Sequence, residues 1–162
     1  MSLPIPVDGA VLVWSAASGG AEAATGVQLD ASDQSAPISS TQLAVPTVSG
    51  VYLITAELKI VTAAFGGHAV LNSTLGPVTL SYTCADTNLP SSVTMGLFNN
   101  TGAVTQTLTT NAVNTSINGS TVVCVAAGVP ITLTVGYASQ GTTTPMAYAA
   151  HIKCVFLGAV AV

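Results

Sequence analysis

A run of strict alternation between apolar and polar residues, within Val45–Thr62, constrains the fold of this chain more than any other feature. A turn with Pro46 and Gly50 opens the run. The apolar positions that follow are Tyr52, Ile54, Ala56, Leu58 and Ile60, and the positions between them include Thr55, Glu57 and Lys59. Because successive side chains of a strand point to opposite faces, this pattern predicts a strand with one face in a core and the other near water.

The same pattern returns near the C-terminus. Its apolar positions are Tyr148, Ala150, Ile152, Cys154 and Phe156. His151 and Lys153 alternate with them, and we expect both side chains on the outer face of this second long strand.

In the rest of the chain, short apolar segments alternate with turn signals. Further strands are predicted at Ala10–Ser15, Val27–Leu29, Pro77–Ala85, Ser92–Phe98, Ala103–Thr109, Thr121–Ala126 and Ile131–Ala138. Asp30–Ser40 and the Asn- and Gly-rich stretch that ends at Ser120 are predicted to be loops, and Asn99–Gly102 a hairpin connection. No segment shows a helical period with caps. The sequence therefore predicts an all-β, single-domain jelly-roll β-sandwich of about eight to ten antiparallel strands over residues 10–162. Residues 1–9, with two prolines, are predicted to form an extended N-terminal arm.

The chain carries very few charges, 5% of its residues against about 25% in a typical globular protein. Its two basic residues, Lys59 and Lys153, stand against six acids, for a net charge of −4. Nucleic acids and anionic membranes both require basic surfaces, so neither is expected as a partner. No window approaches the roughly 18–20 apolar residues of a membrane helix. A surface with so few charges instead predicts burial against other subunits, in an oligomer or a larger assembly.

Three stretches carry a resemblance to a known superfamily. They read P-T-V-S-G-V-Y-L-I-T-A-E-L (Pro46–Leu58), A-A-G-V-P-I-T-L-T-V (Ala126–Val135) and Y-A-A-H-I-K-C-V-F-L-G-A (Tyr148–Ala159). In order and spacing they resemble the C1q/TNF-like jelly rolls, in which a small turn leads into a long inner strand beginning Gly-x-Tyr. The chain departs from that pattern at Val129-Pro130, where the family often has Asp, and it has no collagen-like stalk.

The resemblance implies a homotrimer, with Tyr52, Tyr137, Tyr148 and Phe156 as candidate residues of its apolar subunit interface. Domains of this superfamily also occur on bacteriophage and viral particles, and a chain with few charges and no disulfides resembles that branch. The expected function is therefore that of a virion structural protein, such as a capsid decoration, spike or head-fibre component. The N-terminal arm, with Leu3, Pro4, Ile5 and Pro6, would dock on other capsid proteins.

Two other functions stay open. One is a receptor- or glycan-binding head whose loops at 111–120 and 140–144 contact a host surface. The other is an extracellular C1q-like adaptor, which would require a signal peptide. The start of the sequence shows no basic segment followed by an apolar run. Together with an odd number of cysteines, this predicts synthesis in the reducing cytoplasm of a host cell.

Few residues suggest chemistry. Cys84, Cys124 and Cys154 lack the basic surroundings that activate a thiol, so we expect core residues. Neither His68 nor His151 stands at metal-ligand spacing from cysteines or acids. The sequence predicts no enzyme, no catalytic residue, no cofactor and no metal centre. One alternative remains: Asp30 and Asp33 are either a solvated turn or, with backbone carbonyls, a calcium site.

Overall fold

A computed structural model describes residues 12–14, 21–23, 27–66, 73–99, 102, 104–109, 111–139 and 143–160. These residues contain thirteen strands and no helix. The strands are β1 (Leu12–Trp14), β2 (Ala21–Ala23), β3 (Val27–Gln34), β4 (Ile38–Ala44), β5 (Gly50–Thr62), β6 (Thr74–Thr83), β7 (Pro90–Thr94), β8 (Leu97–Asn99), β9 (Val104–Thr105), β10 (Leu108–Thr109), β11 (Ser116–Val125), β12 (Ile131–Ala138) and β13 (Ala147–Ala159). The predicted docking arm, including Leu3, Pro4, Ile5 and Pro6, lies outside the described residues.

Two antiparallel sheets form the sandwich. One is six-stranded, in the order β3-β13-β5-β11-β8-β9. The other is five-stranded: β12 lies between β4 and β6, and both β7 and β10 pair with β6. From β4 to β13 the chain crosses repeatedly between the two sheets, so sequence neighbours are seldom sheet neighbours. The all-β jelly-roll sandwich is confirmed. β1 and β2 pair antiparallel in a separate two-stranded sheet.

The core lies between the two sheets and is formed by the predicted alternation. All the apolar positions of β5 named above are buried, from Tyr52 to Ile60. In β13 the inward positions Tyr148, Ala150, Ile152 and Cys154 are buried as well. Leu80, Leu133 and Val135 supply part of the facing layer from the five-stranded sheet. One contiguous apolar cluster therefore joins the two sheets.

Two predicted strands are each divided between the sheets. Ser92–Phe98 was expected as one strand, but β7 pairs with β6 in one sheet and β8 pairs with β11 in the other. The same division separates β9 from β10 within the predicted Ala103–Thr109 strand. Met95 and Gly96 connect β7 to β8, and the Met95 side chain is buried in the core. Alternation continues through such a crossing, so the sequence pattern alone shows one strand.

The prediction of a loop at Asp30–Ser40 is wrong. Strand β3 continues to Gln34 and β4 begins at Ile38. Similarly, β11 begins at Ser116 rather than Thr121. These segments are polar, yet their backbones pair with β13, β12 and β5, as in the cross-strand pairs of Ala150 with Ala31, of Val135 with Ile38 and of Asn118 with Glu57. The two divided strands, together with β2 and β4, for which no separate strand was predicted, account for the four strands beyond the nine predicted.

The Gly-x-Tyr motif at the start of β5 has a packing reason. A Cβ atom at Gly50 would collide with the carbonyl oxygen of Gly158 and with the ring of Phe156. The Tyr52 ring packs against that same Phe156 ring, with centroids 5.1 Å apart and planes tilted by 51°. Glycine thus allows the end of β13 to lie against β5, and Tyr52 fills the space beside it.

Candidate assembly and binding surface

The six-stranded sheet has an outer face that the second sheet does not cover, and we call it the outer sheet face. Its residues alternate with the core residues of β5, β11 and β13. Along the strands this face divides into two parts of different chemistry. We define an apolar half, which comprises Val51, Leu53, Val122, Cys124 and Val155, and a polar half, which comprises Asp30, Thr55, Glu57, Phe98, Asn118, Ser120, His151 and Lys153.

The apolar half is a continuous patch across three strands. Leu53 lies in register with Val155 of β13 on one side and with Val122 of β11 on the other. Cys124 lies opposite Val51 in the next pair along β5. Val122 is 58% exposed, although it is a large apolar residue. The patch therefore leaves apolar surface in water on a single chain.

One row of side chains crosses five strands in the polar half. His151 of β13 is paired in register with Asp30 of β3 and with Glu57 of β5. Glu57 is paired in turn with Asn118 of β11, which lies opposite Phe98 of β8. The Nδ1 atom of His151 is 2.8 Å from Oδ1 of Asp30, and both side chains are 53% exposed. The next row toward the apolar half is Lys153, Thr55 and Ser120.

The two rows surround an open concavity of about 580 Å³. Glu57, Asn118, Ser120 and Lys153 line it, together with the ring of Phe98 at the β8 side. Gly119 in β11 allows this arrangement, because a Cβ there would collide with the carbonyl oxygen of Gly96 and crowd Leu97. Without a side chain at this position, β8 lies close against β11 and Phe98 stands beside the concavity.

The sequence predicted that some of these residues face outward, but it did not predict that they lie next to one another. Glu57, His151 and Lys153 were expected on outer strand faces, and all three are exposed. Asn118 and Ser120 were assigned to a candidate host-binding loop, but they lie on β11. Phe98 was not identified as a surface residue, because it ends the predicted strand Ser92–Phe98, whose neighbouring strands the sequence does not show. A large aromatic residue next to the Asn-Asn-Thr-Gly turn was the signal available in the sequence.

The aromatic residues predicted for a subunit interface belong largely to the core of one chain. Tyr148 is fully buried and Tyr52 is 7% exposed. The Tyr52 hydroxyl donates to the carbonyl oxygen of Val48 at 2.8 Å, and Phe156 is half-buried beside its ring. Tyr137 is half-buried and its hydroxyl donates to the carbonyl oxygen of Met146. The assignment of Tyr52, Tyr137, Tyr148 and Phe156 to an interface stays a prediction, and the exposed apolar half is a separate set of residues.

Both the ring and the hydroxyl group of Tyr148 make contacts within the fold. Its ring stacks on that of Tyr137, with centroids 5.5 Å apart and an angle of 28° between the planes. Its hydroxyl donates to the carbonyl oxygen of Ala36 at 3.0 Å. Burial raises the pKa of Tyr148 to about 12, because the interior disfavours the phenolate. Tyr148 thus ties β13 to the connection between β3 and β4.

The three thiols differ in their surroundings. Cys154 is buried, as expected for a core residue, and burial raises its pKa to about 11. Cys124 is half-buried on the outer sheet face, and burial raises its pKa as well. Cys84 lies just after β6, half-exposed rather than in the core, and hydrogen bonds from Thr87 and Asp86 lower its pKa. All three are free cysteines.

The histidines and the Asp30–Asp33 stretch are the residues closest to a metal site in the sequence. Among the residues that the structure describes, no group of three or more His, Cys, Asp or Glu side chains could hold a metal ion. His68 lies outside those residues. Asp30 and Asp33 are part of strand β3 rather than a turn, and the Asp30 carboxylate contacts His151. No helix suited to crossing a membrane occurs in the described ranges.

Comparisons with known proteins give structural matches only. No protein-family model matches the chain, and no curated protein matches it. Among solved structures, the globular domain of the zebrafish complement 1qA protein matches over 82% of this chain and 96% of that chain, at 12% identity and a TM-score of 0.45. A Clostridium thermocellum structure of endo-1,4-beta-D-xylanase modules complexed with xylohexaose matches over 86% of this chain and 22% of that chain, at 10% identity and a TM-score of 0.37. At these values neither likeness carries an argument about function, and the jelly roll is established by the strand order.

Proposed function

We propose that this chain is a structural subunit of a virus or bacteriophage particle, and that it assembles as a homotrimer through the apolar half of the outer sheet face. The observation that carries the proposal is the continuous apolar row formed by Val155, Leu53 and Val122. Removing such a patch from water favours association, at roughly 25 cal/mol for each Å² of apolar surface covered.

A second copy of the same chain is the occupant that fits this patch. The patch is uncharged, and so are most of the residues of the chain, so copies meet with little electrostatic repulsion. Around a threefold axis, three equivalent apolar patches can face one another and cover their common surface. The number three comes from the resemblance of the Gly-Val-Tyr strand and the closing strand to the C1q/TNF-like jelly rolls.

The particle assignment rests on the sequence. A chain with 5% charged residues, a net charge of −4 and free cysteines suits a component of a multi-subunit shell made in a host cytoplasm. Because the sequence has no basic segment, we propose an outer or vertex position for it rather than one beside a packaged genome. The prolines of the N-terminal arm would hold Leu3 and Ile5 in an extended segment that docks on a neighbouring capsid protein.

Val122→Glu tests the assembly surface. The valine is 58% exposed, so a carboxylate is tolerated on a single chain, whereas covering it in a trimer leaves an unpaired charge in an apolar contact. We expect the variant to sediment as a monomer where the unmodified chain sediments as a trimer. Val113→Glu is the matched control, because Val113 is 47% exposed and lies outside the patch, and it should remain trimeric. Equal sedimentation of both variants and the unmodified chain would overturn the role of this patch.

Recovery of the chain from particles tests the second part of the proposal. Particles from the source culture are purified by density and their proteins are identified by mass spectrometry. The proposal predicts the chain in the particle fraction in fixed ratio to the major shell protein. An extracellular adaptor would instead be recovered as free protein in the medium, with none in the particle fraction, and that result would contradict a virion role.

A further inference from the structure

We propose that the polar half of the outer sheet face is a binding site for a neutral saccharide chain, which lies in the concavity between Phe98 and Lys153. This inference goes beyond particle assembly and does not depend on the trimer. It concerns side chains of the Glu57 and Thr55 rows, which are separate along the strands from the apolar row of Leu53.

The shape of the surface supports a ligand site. A concavity of about 580 Å³ falls within the roughly 300–1,000 Å³ typical of small-molecule sites. Its floor is the centre of the six-stranded sheet, where β5 pairs with β11 on one side and with β13 on the other. A site on paired strands keeps its geometry better than one on loops.

Phe98 supplies an apolar surface for stacking. Its side chain is 46% exposed at the edge of the sheet, beside Val104, which is 69% exposed and opposite it in the β8–β9 pair. The C–H face of a pyranose ring is apolar and can cover an aromatic ring, which removes both from water. To bind a pyranose ring, a site needs an exposed aromatic ring with polar side chains beside it, and Phe98 and its neighbours provide this combination.

The polar side chains supply both kinds of hydrogen-bonding group. Glu57 accepts, Lys153 donates, and the Asn118 amide and Ser120 hydroxyl do both. Among the described residues, no hydrogen bond or ion pair holds the side chains of Glu57, Asn118 or Lys153. Sugar hydroxyls donate and accept in the same way, so these side chains can bind them without giving up contacts within the fold.

The charges of the site favour a neutral ligand. Glu57 and Lys153 offset each other, and the Asp30 carboxylate contacts the His151 ring at the far wall. A phosphorylated or otherwise polyanionic ligand would meet a carboxylate beside the lysine, and a metal ion would find no group of three ligands among the described residues. The remaining ligand class with many hydroxyls and no charge is a saccharide.

The test is titration of the full chain with maltohexaose, cellohexaose and chitohexaose at millimolar concentration, followed by amide chemical shifts and calorimetry. At least one of these saccharides should bind and shift the amides of β8, β11 and β13 while leaving those of β4 unchanged. Phe98→Ala should weaken that binding roughly tenfold or more. Phe65→Ala is the matched control, since Phe65 is 72% exposed and does not line the concavity, and it should bind as the unmodified chain does.

A chain that binds none of the three saccharides, or a Phe98→Ala variant that binds as tightly as the unmodified chain, would overturn the proposal. Glu57→Gln provides a second variant that keeps the shape of the site and should also weaken binding. Failure here is separable from failure of the assembly proposal. Val122→Glu should lose the trimer and keep saccharide binding, whereas Phe98→Ala should keep the trimer and lose saccharide binding.

Discussion

The two faces of strand β5 use the same backbone for different purposes. On the inner face, Ile54, Leu58 and Ile60 are fully buried by the five-stranded sheet. On the outer face, Leu53 and Thr55 are half-buried and Glu57 is exposed. The inner residues stabilise one chain, and the outer residues remain available for other molecules. The comparison shows that alternation in a sequence identifies the two faces of a strand but does not identify what covers each of them.

The largest loss of stability should come from a substitution on the inner face of β5, and the same substitution on the outer face should cost much less. Leu58→Ala removes a fully buried side chain and should lower the free energy of unfolding by ~2–5 kcal/mol. Leu53→Ala on the opposite face should lower it by about 1 kcal/mol or less. Denaturant unfolding measures both, and each is placed in a Val122→Glu background so that assembly contributes nothing. Similar losses for the two leucines would contradict the division of the faces.

The contact between β5 and the end of β13 should give the next effect. Gly50→Ala forces a Cβ into the Gly158 carbonyl and the Phe156 ring, and should cost ~1–3 kcal/mol of unfolding free energy. Gly158→Ala is the matched control, because a Cβ there meets no atom within 4 Å. Thermal unfolding of both variants checks the prediction. If Gly158→Ala were the more destabilising of the two, the account of the Gly-x-Tyr motif would be wrong.

Tyr148 predicts how stability depends on pH. Burial raises its pKa to about 12 from the usual 10.0, so the folded chain keeps the phenolic proton where the unfolded chain has lost it. The contribution is therefore complete below pH 10 and is lost as the pH rises from 10 toward 12. Unfolding midpoints across this window should fall less for Tyr148→Phe than for the unmodified chain. Burial also raises the pKa of Tyr52 and Tyr82, so some decline should remain in the variant.

The smallest effect should come from the exposed pair on the outer face. Asp30→Asn removes the charge that faces His151 in a contact whose side chains are both 53% exposed. Exposed pairs contribute ~0–1 kcal/mol, so the unfolding free energy should change by no more than that. Chemical denaturation at low and high salt provides the measurement. A larger loss would show that this pair has a structural role in joining β3 to β13.

The sequence was sufficient to predict the strands wherever core residues alternate with outward-facing ones. The inward positions of β5 and β13 were identified, because an apolar residue at every second position is typical of a strand with one buried face. It was insufficient where polar segments pair with a central strand, as Asp30 does with His151 of β13 and Ser116 does with Lys59 of β5, since the alternation of these segments carries no hydropathy signal. It was also insufficient at Met95, where the chain changes sheets without a break in the pattern.

The candidate surface was harder to predict than the core for a physical reason. Asp30, Glu57 and His151 are far apart in the chain, and their row exists only because β13 lies between β3 and β5. Such non-local pairing cannot be read from the local pattern of any one strand. The lysine and glutamate positions were predicted to face outward, but the concavity beside Phe98 requires the order of the strands.

The mass of the free, unmodified chain in solution decides whether it forms a homotrimer. Size-exclusion chromatography with light scattering should give about 48 kDa, three times the 16.0 kDa of one chain, because three apolar halves cover one another. A stable mass of 16.0 kDa at all accessible concentrations would contradict the claim, since Leu53, Val122 and Val155 would then remain uncovered by a second copy.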